Sequence, residues 1–272
     1  MKPRPFDYIR PDTVDEAVSL LADYGEDARV LAGGQSLVPM LNLRLIEARA
    51  LIDISRIAAL DVIREHDGRI EIGAAVTQSK LMAWPELGKK LPLVAAALPF
   101  VGHFQTRNRG TVCGSMAHAD PSSELPLALA VAGGEIVLRS RRGERVLAAG
   151  DFQKDMLTTA RAGDELIVAA RFPTANRSGV AFREVARRHG DFAIIAVAAL
   201  AEDKNTVRLG VGGMAGRPMV RRVAAKDSAA AVATWAEDLE GYEDLHASAA
   251  MRRDLLRNLA PLAIEEALRC AA

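Results

Sequence analysis

The sequence predicts an α+β fold in two unequal units, and three observations carry that expectation. At 272 residues, half of them apolar, the chain exceeds what one hydrophobic core comfortably serves. Up to Pro173, short strand-like runs alternate with capped helical segments. From Asn176 the pattern changes to three strand-like runs spaced as an antiparallel meander, followed by helices. The expected units are residues 1–175, with subdomains of about 1–55 and 56–175, and a strand-and-helix unit over 176–272.

Prolines at positions 3, 5 and 11 suit an extended start. Thr13 and Glu16 have the spacing of a capping box, Val14, Ala17, Val18 and Leu21 share one helical face, and Gly25 stops the helix. Arg29 to Leu31 reads as a strand, Ala32 to Ser36 as a glycine turn, and the Leu-rich segment through Leu45 as the start of a helix. Ala50 to Ile54 is a further strand, and Asp61 to Ile72 is a hairpin turning at His66-Asp67-Gly68. Thr77 caps a helix around Leu81, and helices are expected over Pro85 to Ala97 and Glu124 to Val131. A second hairpin runs from Glu135 to Val146 and turns at Arg141-Arg142-Gly143; Glu165 to Phe172 is a strand stopped by Pro173. The second unit offers strands around Ala181 to Arg187, Phe192 to Ala201 and Thr206 to Gly212, then helices near Ala229 to Leu239 and Leu245 to Leu268.

Composition excludes several classes of function. The 35 basic and 35 acidic residues cancel, which favours neither nucleic acid nor an anionic membrane as partner. Cys113 and Cys270 are the only cysteines, so no disulfide framework and no iron–sulfur cluster is held by this chain alone. The polar start and the lack of an apolar run of about 18 residues argue against a signal peptide and a membrane span, and a cytoplasmic protein is expected. No Gly-x-Ser-x-Gly, Gly-x-Gly-x-x-Gly or Walker motif is present, and His103 and His118 are isolated.

What remains is a pair of small-residue segments. Arg107 to Pro126, RNRGTVCGSMAHADPSSELP, has no apolar period before Leu125 and reads as a long loop rich in glycine and hydroxyl side chains. With Ala32-Gly33-Gly34-Gln35-Ser36 it suits a diphosphate, because small residues let main-chain N–H groups converge on an anion. A plain surface loop is the ordinary alternative for either segment alone.

Together the segments resemble the two flavin-binding loops of the FAD-carrying medium subunit of molybdenum hydroxylases, the carbon monoxide dehydrogenase and xanthine dehydrogenase family. Phe6-Asp7-Tyr8, the segment FREVARRHGDF over Phe182 to Phe192 and the overall length extend the resemblance over nearly the whole chain. It implies a two-subdomain FAD-binding fold of the vanillyl-alcohol-oxidase type with a C-terminal domain of antiparallel strands and helices. It also implies non-covalent FAD held by Arg29, Val30, Leu31, Ala32, Gly33, Gly34, Gln35 and Ser36 in one loop, and Thr111, Val112, Cys113, Gly114 and Ser115 in the other. By the same resemblance Val101, His118, Asp120, Glu124, Ile167 and Arg183 contact the cofactor: Glu124 a hydroxyl, Ile167 the adenine or ring system, and Arg183, where the family often has Lys, the isoalloxazine. Covalent attachment through His118 or His103 is the lesser alternative. Cys113 departs from the family's Thr-x-Gly-Gly pattern, and would be strained if that position required positive φ.

The resemblance further implies an electron-transfer subunit with no catalytic residue of its own. Molybdopterin and 2Fe-2S clusters would reside in a large and a small partner subunit, within a dimer of heterotrimers, with an external electron acceptor such as NAD, oxygen or a quinone. Two alternatives stand beside it: a stand-alone FAD-dependent oxidoreductase of the same wider fold, and a flavin-free interaction subunit. The organic substrate stays open, since this chain would not contact it.

Overall fold

The computed structural model describes residues 2–175 and 178–271; the boundary expected at Asn176 lies outside the described residues. The chain opens with strand β1 (Asp7–Ile9) and helix α1 (Val14–Tyr24), then β2 (Ala28–Leu31), α2 (Leu37–Asn42) and β3 (Ala50–Asp53). β3 lies between β1 and β2, and both pair with it in parallel. The Thr13 hydroxyl accepts from Glu16 N–H at 3.1 Å, as the capping box requires, but Glu16 reaches back to Asp12 N–H at 2.9 Å and not to that of Thr13.

Next come β4 (Ile63–His66), β5 (Arg69–Gly73) and the short helices α3 (Gln78–Met82), α4 (Leu87–Lys90), α5 (Pro92–Ala97), α6 (Phe104–Arg109), α7 (Val112–His118) and α8 (Glu124–Ala132). The β4–β5 turn has positive φ at both Asp67 and Gly68, which a tight hairpin of this hand demands. The single helix expected over 85–97 is divided at Pro92, which lacks the N–H to continue α4 and instead starts α5 at its first position.

The segment read as a long loop contains two helices, α6 and α7. Gly114 and Ser115 are poor helix formers, yet Val112, Cys113 and Met116 bury one face of α7 in the core, and Thr111 caps it by accepting from Gly114 N–H at 3.0 Å. Tertiary burial thus overrides local propensity.

Strands β6 (Glu135–Ser140) and β7 (Gly143–Ala148), helix α9 (Ala149–Phe152), the small ribbon β8 (Gln153–Asp155) with β9 (Thr158–Thr159), and β10 (Leu166–Pro173) follow. The second sheet is antiparallel throughout, in the order β4-β5-β10-β6-β7. Helix α1 packs against β3, β6 and β10 and so ties the two sheets together.

The remaining sheet has four strands where three were expected: β11 (Val180–Val185), β12 (Ile195–Ala201), β13 (Thr206–Gly212) and β14 (Met219–Ala224), in chain order and antiparallel. β14 is an edge strand whose middle residues, Val220, Arg221 and Arg222, are exposed, so it lacks the apolar alternation that marks its neighbours. Helices α10 (Ser228–Asp238) and α11 (Ala249–Cys270) complete the chain.

This sheet is buried on both faces. Ile195, Val197, Leu209 and Val211 meet α10 and α11 in one core, while Phe182, Ala196 and Ala198 join the core built by the first two sheets. Gly210 allows α8 to lie directly on β13, since a Cβ there would stand 2.9 Å from Leu127 Cδ1. The fold is therefore α+β with its C-terminal sheet shared between two cores. Among the described residues no helix is long and apolar enough to cross a membrane.

Candidate functional site

The two small-residue segments meet backbone to backbone. A Cβ on Gly33 would overlap the Arg109 carbonyl oxygen and lie 2.8 Å from Gly110 Cα, so only glycine permits this approach. Gly34 has φ +73°, a conformation L side chains rarely adopt. The segment following β2 is thereby turned so that four consecutive N–H groups, those of Gly33, Gly34, Gln35 and Ser36, have no hydrogen-bond acceptor among the described residues. Consecutive unpaired amides at a turn into a helix form an anion-binding concavity. They border a groove of about 320 Å³ lined by Leu31, Ala32, Gly33, Gly34, Gln35, Val38, Pro39, Asp53 and Arg109.

The other expected loop residues have mixed placements. Arg29 donates to the carbonyls of Glu26 at 2.6 Å and Ala28 at 2.8 Å, so its guanidinium serves the local turn. Val30 packs against the core. Ser36 precedes α2 but makes no side-chain cap. Val101 is buried and its carbonyl accepts from Arg107 at 2.8 Å. Thr111 is buried at the start of α7, Val112 N–H is taken by the Val76 carbonyl at 3.1 Å, and Ser115 N–H by that of Thr111 at 3.2 Å. Gln78 supports this wall from behind: its N–H donates to Gly110 O at 2.8 Å, and its buried Oε1 has no partner.

Cys113 is helical, so the strain conditional on positive φ does not arise. It is 2% exposed, and burial pushes its thiol up to about 12. At neutral pH it is an inert thiol in the core.

A second group forms at the far end of α7. Ala119 ends that helix with φ +54°, and its carbonyl accepts from Gln153 at 2.8 Å and Leu157 N–H at 3.0 Å, which fixes the turn leading to Asp120. Asp120 accepts from Ser122 N–H at 2.8 Å. His118 is half-buried, and burial lowers its pKa, which favours the neutral imidazole. Glu124 is buried at the first position of α8; burial, aided by the Asp120 charge, raises its pKa to about 7. Ile167 is buried in the core on β10, the strand on which α7 packs.

Arg183 is not brought to this group. Its side chain shares the β11 face with Ala181 and reaches α11, where it pairs with Glu266 at 2.7 Å. The adjacent Glu184 occupies the opposite face, with one carboxylate oxygen buried and unpartnered. Burial and then the charge of Glu124 push its pKa up to about 8. Sequence reading passed over Glu184, Asp53 and Arg109. The alternation of a strand separates Arg183 from Glu184, but nothing local tells which face is inward.

The raised pair sets a pH dependence. Folded pKa values above the unfolded carboxylate value mean that the native state holds more protons, so stability falls as pH rises from about 4.5 toward about 8. Thermal melts should show Tm declining across that window, and Glu184→Gln should flatten the decline. An equal slope in the variant would remove Glu184 as its source.

The residues of the groove fit a dinucleotide diphosphate: unpaired amides, a glycine contact that excludes side chains, and an adjoining cluster for a second half. Comparison with known proteins agrees with that fit. Residues 4–175 match the FAD binding domain in molybdopterin dehydrogenase. The chain is 35% identical to the 6-hydroxypseudooxynicotine dehydrogenase complex subunit alpha of Paenarthrobacter nicotinovorans, over 98% of this chain and 96% of that protein. It is 34% identical to the carbon monoxide dehydrogenase medium chain of Hydrogenophaga pseudoflava, over 90% and 92%. Among solved structures, quinoline 2-oxidoreductase from Pseudomonas putida 86 superposes with a TM-score of 0.93 at 31% identity, covering 100% of this chain and 99% of that one. Carbon monoxide dehydrogenase from Hydrogenophaga pseudoflava gives 0.92 at 31%, covering 100% of both chains.

Proposed function

Because the chain belongs to the family of FAD-binding domains in molybdopterin dehydrogenases, we propose that it is the FAD-carrying electron-transfer subunit of a heteromeric molybdenum hydroxylase. It accepts electrons from 2Fe-2S clusters of a small partner subunit, while a large molybdopterin subunit oxidises the organic substrate. The electrons leave to an external acceptor. The assembly is a dimer of heterotrimers in the cytoplasm. Residues 1–175 form the FAD-binding unit, in subdomains of about 1–55 and 56–175, and residues 176–272 the C-terminal one.

The observation that carries this reading is the row of unpaired amides from Gly33 to Ser36, locked in place by the contact of Gly33 with Arg109 and Gly110. FAD, when bound, supplies redox chemistry at its ring. The chain's own task is to hold the diphosphate on those amides, without an acid–base machinery of its own. Burial raises the pKa of Glu184 to about 8 and that of Glu124 to about 7, so the pair retains protons near neutral pH and offers O–H donors at the far end of α7.

Purification of the tagged full-length chain from its native cells tests the assembly. Two further subunits should co-elute, with molybdenum and iron detected by elemental analysis alongside FAD. A chain that elutes alone with FAD, and oxidises a substrate unaided, would replace this reading by the stand-alone flavoenzyme.

A further inference from the structure

Ala119 closes α7 in the left-handed region, at φ +54°, where a methyl side chain is disfavoured and glycine is the usual occupant. Such a conformation persists only where its surroundings over-determine it. Here a single acceptor does so: the Ala119 carbonyl takes both Gln153 Nε2 at 2.8 Å and Leu157 N–H at 3.0 Å. Leu157 is itself left-handed, at φ +53°, so one hydrogen bond joins two strained residues. Gln153 is 5% exposed and follows Phe152, which is buried in the core. An apolar side chain would fill that place at no polar cost, whereas a buried amide is unfavourable unless it is bonded. Among the described residues the Gln153 amide donates to Ala119 alone.

The residues beyond Ala119 are fixed from other sides. The Asp120 carboxylate accepts from Ser122 N–H at 2.8 Å, and its carbonyl from Ser123 N–H at 3.1 Å. The Pro121 carbonyl accepts from Gly213 N–H at 2.9 Å, which ties the turn to the end of β13. Gln153 has its own anchor: it pairs with Thr159 across the β8–β9 ribbon, and beside it Ala160 N–H donates to the Phe152 carbonyl at 2.8 Å. The ribbon thus presents the amide from a fixed base. A turn that merely connected two helices would need neither a strained alanine nor a buried donor, since glycine closes a helix readily, as Gly133 does for α8 at φ +71°. Alanine with a donor behind it has fewer alternatives than glycine, so this turn is held more rigidly than a connection requires.

We propose that Gln153 is a positioning residue for the cofactor: by holding Ala119 left-handed it sets the direction in which His118, Asp120 and Glu124 meet the flavin, without touching the flavin itself. The inference rests on the FAD reading and adds to it a residue from outside both small-residue segments. It also gives the β8–β9 ribbon a task, that of supporting the turn after α7.

Equilibrium dialysis of the full-length chain with FAD, together with the visible circular dichroism of the bound flavin, tests it. Gln153→Met keeps the length of the side chain and removes its N–H donors. It should weaken FAD about tenfold, as expected for one lost hydrogen bond, and alter the visible dichroism while the far-ultraviolet spectrum stays native. Adding Ala119→Gly to that variant should bring affinity back to within about threefold of the unaltered chain and restore the visible spectrum, because glycine takes the left-handed turn without a donor. Lost packing at residue 153 would not be repaired in this way. If Gln153→Met binds FAD as the unaltered chain does, or if the added glycine restores nothing, the inference is overturned while the FAD reading stands. If the unaltered chain binds no FAD, both fall.

Discussion

Gly33→Val is expected to reduce FAD affinity at least about 100-fold, which corresponds to roughly 3 kcal/mol. The added Cβ overlaps the carbonyl oxygen of Arg109 and stands 2.8 Å from Gly110 Cα and 2.9 Å from Arg109 C. All three are backbone atoms, so no side-chain rotation relieves the clash. The two loops must part, and the row of amides from Gly33 to Ser36 is then no longer held in place. Gly34→Ala is the milder companion. Its Cβ meets only the tips of Leu31 and Val38 at 3.2 and 3.3 Å, so the main cost is its positive φ, about 1–2 kcal/mol. Equilibrium dialysis with FAD, alongside circular dichroism to verify folding, measures both. Full retention of flavin by a folded Gly33→Val protein contradicts the loop assignment.

Arg252→Ala is expected to destabilise the fold by about 3–5 kcal/mol, the usual cost of removing one partner from a buried ionic network. The Arg252 side chain is fully buried in α11. Its guanidinium donates to the Ile194 carbonyl, to that of Gly213 at 2.9 Å and to Asp244 at 2.6 Å, and lies 4.2 Å from the Tyr242 ring. It therefore holds together the start of β12, the end of β13 and the loop before α11. Truncation leaves the two carbonyls without this donor and Asp244 with only the backbone N–H groups of His246 and Ala247. Arg252→Lys should recover only part of the loss, since an ammonium cannot span the same fork. Urea denaturation provides the measurement; a loss below about 1 kcal/mol would show that the network is redundant.

What could be read in the sequence was whatever depends on neighbours along the chain. Helix α1 has its capping residue, its apolar face and its stop within 13 residues, Thr13 to Gly25. The β4–β5 hairpin announces itself through Asp67-Gly68, whose positive φ values the turn needs. The glycine turn at 33–34 was legible because a close backbone approach at Gly33 and a positive φ at Gly34 both demand glycine. Helices α6 and α7 were not legible, since Gly114 and Ser115 carry no helical signal and burial of Val112 and Met116 decides the matter. The groove shows the same limit. Asp53 sits at the end of β3, more than 50 positions from Arg109, and only the fold brings both to one groove. Arg183 and Glu184 differ by one residue, yet the pleat of β11 sends the first to Glu266 and the second inward. Neighbouring residues could not reveal which of the two faces was covered by α11.

The most direct measurement is the visible absorption spectrum of the purified chain after incubation with FAD and removal of unbound flavin. The bands of oxidised flavin should travel with the protein, and denaturation should release free FAD. A folded chain that stays colourless after this treatment would contradict the claim that the amides of Gly33 to Ser36 hold the cofactor.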